Sequence, residues 1–325
     1  MPDPFQYTMA LLAAFTFSVI AVAGARRVLR LRAHRLANVV EVFGITAGLI
    51  AGFRVLQFEL VWPPANAINR FLTIVLPAAV IVELISELAS IPTQSEARRL
   101  KDAGLLSFFV LLLRIGFFAS IGRILLHNSV YLGVSPNIAG TWSGWQMFIL
   151  LTASAVLLTA MWLLLSNLAK RDGPGSVASS LSMSIMTAGI SIMLAGYIKG
   201  GVAAFPFAAS LTGVVAIAQF VRPNERSDDG RFMQGTIGPG VTALFSFLWI
   251  GYFFGQLPAL DAVVIFLAPV LCWVSELSFF RRMNSRRRGL LRLVCVAIPL
   301  LIQLLIAKRT FDQKLAPLLA FQVFW

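Results

Sequence analysis

The chain has 325 residues, of which 58% are hydrophobic and 13% charged, with a formal net charge of +13. So few charges exclude an ordinary soluble domain, which carries about twice that share. The positive balance alone would suit nucleic acid. Its Lys and Arg, however, gather on alternate links between apolar stretches, the pattern that orients a membrane protein, so no nucleic-acid partner is read from it.

Ten apolar stretches, each near the roughly 20 residues that cross a bilayer, follow one another at about 7–25, 39–57, 68–90, 104–126, 147–168, 176–197, 201–221, 236–255, 260–280 and 289–307. They predict an all-α fold: a polytopic integral membrane bundle of about ten transmembrane helices, forming a single domain over 1–325. The first stretch has the look of a signal-peptide core, Met9 to Gly24 followed by Ala25. A signal peptide has a basic leader, and here Asp3 precedes the apolar run while Arg26, Arg27, Arg30, Arg32 and Arg35 follow it, so it reads as a retained first helix. Those arginines share one side with Arg98, Arg99, Lys101, Lys170, Arg171, Arg222, Arg226 and Arg231, and with the arginines of 281–288. The other side holds Arg70, Lys199, Lys308, Arg309 and Lys314. The richer side is expected in the cytoplasm of a plasma or bacterial inner membrane, against anionic lipid head groups, with both termini outside.

In the second stretch Gly44, Gly48 and Gly52 recur every four residues and give a flat face for close helix contact. Arg54 and, two helices on, Arg123 fall toward the outer leaflet with no acidic neighbour on their own helices. They either snorkel or form an outer anion site.

The third stretch contains "IVELISEL", Ile81 to Leu88, with Glu83 and Glu87 one helical turn apart. Counting back from Pro92, Glu83 lies about 13 Å deep and Glu87 about 7 Å. Glu87 can reach the head groups; Glu83 cannot easily do so. On the fourth helix, an antiparallel neighbour, Arg114 lies about 15 Å from the same side. An isolated charge at the bilayer centre costs about 2.5–3.5 kcal/mol to insert, so pairing Glu83 with Arg114 avoids two such penalties. Such a pair is either a coupling or gating element that opens, or a static lock on helix register.

The link 127–146 holds Tyr131, Trp142 and Trp145, which suit an outer interface. The fifth stretch places Thr152, Thr159 and Ser166 at sevenfold spacing. In the sixth, Ser176, Ser180, Ser184, Thr187 and Ser191 form one hydroxyl stripe that either lines a polar path or returns its hydrogen bonds to the backbone. "GPG" occurs at Gly173–Gly175 and Gly238–Gly240, where a helix begins. Between these two motifs Asp228 and Asp229 sit in a turn-like link; adjacent carboxylates can hold Mg²⁺ against a diphosphate, but there is no second acidic cluster. Glu276 and Arg292 fall near the basic ends of the ninth and tenth helices and read as an interfacial pair. Cys272 and Cys295 read as small buried hydrophobes. The tail Leu315 to Trp325 is apolar but too short to span, and suits the membrane interface or a protein partner.

A weak parallel repeat relates helices one to four to helices seven to ten, as units 1–126 and 201–307 around central helices 147–197. It rests on "AAFTF" and "AAFPF", "GITA" and "GVTA", "ISEL" and "VSEL", and two copies of "GLL" at near-constant offset. With two histidines, His34 and His127, both in or near links, nothing suggests haem, a histidine-rich metal site or another cofactor.

The expected function is a secondary carrier for a small solute. Glu83, Arg114 and Glu87 would couple or gate, and Ser180, Ser184, Thr187 and Ser191 would line the path. The alternative is a non-transporting membrane scaffold or complex subunit. A lipid-directed enzyme using Asp228 and Asp229 comes third.

Overall fold

The computed structural model describes residues 4–28, 33–89, 99–129, 131–132, 143–171, 174–220, 233–277, 279–280 and 284–314. The described residues contain helices and no strand, and ten of the helices are long and apolar enough to cross a membrane. They are α1 (Pro4–Val28), α2 (Ala33–Val55), α3 (Ala67–Ala89), α4 (Arg99–Leu126) and α5 (Gly144–Arg171), then α6 (Pro174–Leu194), α7 (Ile198–Gln219), α8 (Gln234–Phe254), α9 (Ala259–Glu276) and α10 (Ser285–Lys314). Each coincides with one predicted stretch. Asp228, Asp229 and the tail Leu315 to Trp325 lie outside the described residues.

Proline and glycine set the irregularities. Pro77 cannot donate to the carbonyl four residues back and would collide with it, and the turn before it, Phe71–Val75, widens to a π-helix. The lower half of α9, Ala268–Glu276, tightens to a 3₁₀-helix from the turn that holds Pro269. Helix α6 ends at Gly196, whose φ of 92° is left-handed. There Tyr197 N–H donates to Ile192 O and Gly196 N–H to Met193 O, closing the last turn in a Schellman motif.

Helix α8 is the axis of the bundle, buried along nearly its whole length, with α3, α4, α5 and α6 packed around it. Helices α1, α2 and α7 form a second group joined by the glycine face of α2. A Cβ at Gly48 would overlap Ser18 Oγ and the Ala14 carbonyl of α1, and would come 2.5 Å from Ser210 Oγ of α7. Gly44 meets Val22 and Val214, and Gly52 meets Pro206 and Ala14. The spacing of four therefore brings three backbones together, as expected for helices that associate by close contact. Arg70 ties the start of α3 to the end of α4, donating to the Leu125 carbonyl at 3.2 Å.

The outward faces of the peripheral helices carry exposed Phe5, Leu12 and Ile20 on α1 and Leu290, Ile298 and Leu305 on α10. Besides Arg70, charged side chains of the described residues are buried in two clusters inside.

Candidate functional site

The first buried cluster lies where α1, α2, α3, α4 and α8 meet. Arg114 donates from Nη2 to Glu83 Oε2 at 2.6 Å and to Ser86 Oγ at 2.9 Å, and its guanidinium lies over the Trp162 ring, 4.2 Å from the centroid. Glu83 and Arg114 are both buried. The depth match on two antiparallel helices thus becomes a direct ion pair, with the aromatic face supplying a cation–π contact. Glu83 also presses on α8, since a Cβ at Gly238 would overlap Glu83 Oε2. Glycine is what lets the α8 backbone approach that carboxylate. The second "GPG" therefore does more than begin a helix.

Glu87 is half-buried and does not run free to the surface. Asn38 of α2 donates to its Oε2 at 2.9 Å. The charge is held inside the bundle because α2 crosses α3 at this level. One turn further along α2 stands Glu41, which the spacing of charges in the sequence does not single out. It is fully buried, with its Oε1 3.8 Å from Arg26 Nη2 of α1. Neither oxygen of Glu41 has a hydrogen-bond partner among the described residues, and the Met233 backbone N–H lies near without reaching hydrogen-bond geometry. Glu87 is within electrostatic reach of both Glu41 and Glu83. Among the described residues, the carboxylates of Glu41, Glu83 and Glu87 and the guanidinium groups of Arg26 and Arg114 therefore occupy one end of the bundle interior.

Glu41 carried a signal in the sequence: it is a carboxylate just inside an apolar stretch, as Glu83 is. Its partner Arg26 lies across a short link, but among the basic residues 26–35 that orient the chain, so it reads as a link charge and not as an interior one.

The second cluster lies between α6, α9 and α10. Arg292 donates to Glu276 Oε1 at 2.8 Å, to Ser275 Oγ at 2.6 Å and to Ser176 Oγ at 3.1 Å. Arg292 is buried, so this is an interior lock and not the solvated interfacial pair that sequence depth suggested; α6 closes over it. Here every donor direction named meets an acceptor. The cluster also echoes the first. Ser86–Glu87 and Ser275–Glu276 belong to the paired words "ISEL" and "VSEL", and each serine accepts from an arginine on the following helix. Packing elsewhere differs between the two units: α1 and α2 lie together along their length, whereas α7 and α8 touch little.

The hydroxyl stripe of α6 belongs to this second cluster. Ser176 meets Arg292 and Ser180 faces Cys272 of α9, so the stripe that continues through Ser184, Thr187 and Ser191 looks toward α9 and α10. Glu83 and Arg114 are on the other side of α8. The structure therefore does not bring the stripe and the Glu83–Arg114 pair into one path. Thr152 and Thr159 bond back to carbonyls four residues earlier. Cys272 is buried, Cys295 is half-buried, and both are free thiols. Arg54 and Arg123 are exposed on the last turns of α2 and α4, the position of snorkelling side chains and not of an enclosed anion site. Among the described residues, no group of three or more His, Cys, Asp or Glu side chains has the geometry to hold a metal ion. No protein-family model and no curated protein matches this sequence.

Proposed function

We propose that the chain is an integral membrane protein of ten spans with its basic links in the cytoplasm against anionic lipid, and that it acts as a proton-coupled carrier for a small solute. The ten apolar helices and the belt of exposed Leu, Ile and Phe on the outer helices support the membrane reading, because a patch of that extent is unfavourable in water.

The observation that carries the coupling reading is Glu41. A structural lock satisfies its members, as Arg292 does. Glu41, fully buried in the cluster around Glu83, has no hydrogen bond to either oxygen among the described residues, and its ion-pair partner Arg26 stands off at 3.8 Å. A buried carboxylate without hydrogen bonds is strongly disfavoured in its charged form, and taking up a proton relieves that cost. That role is assigned to an exchangeable proton on Glu41, passed among Glu41, Glu87 and Glu83. Solute movement would be coupled to loss of that proton as the Glu83–Arg114 contact opens.

The test is purified protein in liposomes that enclose a pH-sensitive dye, challenged with a panel of small polar solutes. Solute-driven internal pH change is expected in the wild type and absent in Glu83→Gln and Glu41→Gln, with unchanged elution on size exclusion. A pH response that persists undiminished in Glu83→Gln, or wild-type protein inert to every solute, would reject the proposal.

A further inference from the structure

The α8 helix carries a set of buried polar atoms that neither cluster uses. Thr242 Oγ1, Ser246 Oγ and Trp249 Nε1 have no hydrogen-bond partner among the described residues, at residue exposures of 1%, 0% and 9%. Ser184 and Ser191 on α6 share that state, whereas Ser18, Thr46, Ser86 and Thr212 each turn back to the carbonyl four residues earlier. The two on α8 do not. A buried polar group without a partner is destabilising, and in native proteins such groups are usually met by water.

Their placement is not scattered. Gly238, Thr242, Ser246 and Trp249 are spaced four, four and three residues apart, so they share one face of α8. That face begins at Glu83, which touches Gly238, and ends where the Trp249 ring meets Gly122 of α4 beside Ser154 of α5. The neighbouring helices give the same two levels. Arg114 and Gly122 are eight residues apart on α4, Trp162 and Ser154 are eight apart on α5, and Gly238 and Trp249 are eleven apart on α8. At 1.5 Å per residue these are rises of about 12, 12 and 16 Å.

We infer that this face of α8 is a water-binding column that leads from the Glu83–Arg114 pair toward the end of the bundle opposite the basic links, with Thr242, Ser246 and the Trp249 indole N–H as its ligating groups. As the outer route by which a proton reaches Glu83, it rests on the carrier reading; as a hydrated column, it stands independently. A proton entering at Trp249 would pass along the water chain by successive O–H transfers. One proton would be delivered to the Glu83 carboxylate and one taken from outside, with no net change in the waters or the hydroxyls.

The test is hydroxyl-radical footprinting of the full chain in lipid nanodiscs, in which X-ray pulses split water where it is bound. Trp249 is expected to be oxidised several-fold faster, relative to intrinsic reactivity, than the fully buried Phe207 and Phe247. Oxidation no faster than theirs overturns the proposal. A second measurement guards against radicals arriving from lipid. If the hydroxyls are dry, Thr242→Val and Ser246→Ala remove unmet polar atoms and raise Tm; if they hold water, both lower Tm and slow Trp249 oxidation. A rise in Tm also overturns the column. The Glu83→Gln variant is expected to lose solute-driven pH change yet keep wild-type Trp249 oxidation, so a failed carrier reading and a dry column give different results.

Discussion

At the scale of single residues, the buried arginines Arg114 and Arg292 differ in how fully they are compensated. Arg292 meets three oxygens and has the character of a fixed tie. Arg114 meets Glu83, Ser86 and the Trp162 face, in a cluster whose other buried carboxylate, Glu41, has no hydrogen bond among the described residues. Breaking a buried pair from one side strands the other charge. Glu83→Leu alone should therefore destabilise by about 3–5 kcal/mol, and adding Arg114→Leu should recover most of that loss. Thermal unfolding of the single and double variants in detergent measures it; additive losses would show that the two charges are not coupled in the fold. The Glu83–Arg114 pair was legible because both residues sit at calculable depths on helices joined by a short link. Glu41 was not, since its partner Arg26 stands among the basic residues that orient the chain and Met233 approaches from the start of α8, far along the sequence.

At the scale of elements, sequence periodicity named the packing face of α2 correctly, and the structure adds that the face serves two partners at once. Gly48 leaves no room for a side chain against α1 or α7. Gly48→Leu is expected to destabilise by more than the usual overpacking range of about 1–3 kcal/mol, because backbone and not only side chains must move. Gly116, on α4, has no atom within 4 Å of where its Cβ would stand. Gly116→Leu should leave Tm nearly unchanged in the same assay, and equal effects at the two positions would contradict this account. The α6 stripe shows the opposite limit of periodicity. Spacing of four and three established that the hydroxyls share a face, but it holds no information on which neighbour that face meets. That neighbour turned out to be α9 and α10, not the helices bearing Glu83 and Arg114.

At the scale of the whole molecule, the basic links imply an orientation that can be measured. In a variant lacking Cys272 and Cys295, Glu59→Cys, exposed in the link after α2, should react with an impermeant maleimide added to intact cells. Asn284→Cys, exposed before α10, should react only after the membrane is opened. The reverse pattern would invert the proposed topology and, with it, the direction of the polar column.

The sequence by itself determined the number and length of the helices, the sidedness expected of the links and one of the buried ion pairs. Each of these follows from local quantities: apolar length, charge count, and depth along adjacent antiparallel segments. Tertiary structure decided which helices adjoin. It made α8 the axis, gathered Glu41, Glu83, Glu87, Arg26 and Arg114 from four helices, separated the α6 stripe from the Glu83–Arg114 pair, and aligned the unmet polar atoms of α8 above that pair. Contacts between distant helices are set by the fit of whole faces around a common axis, and no single segment carries that information.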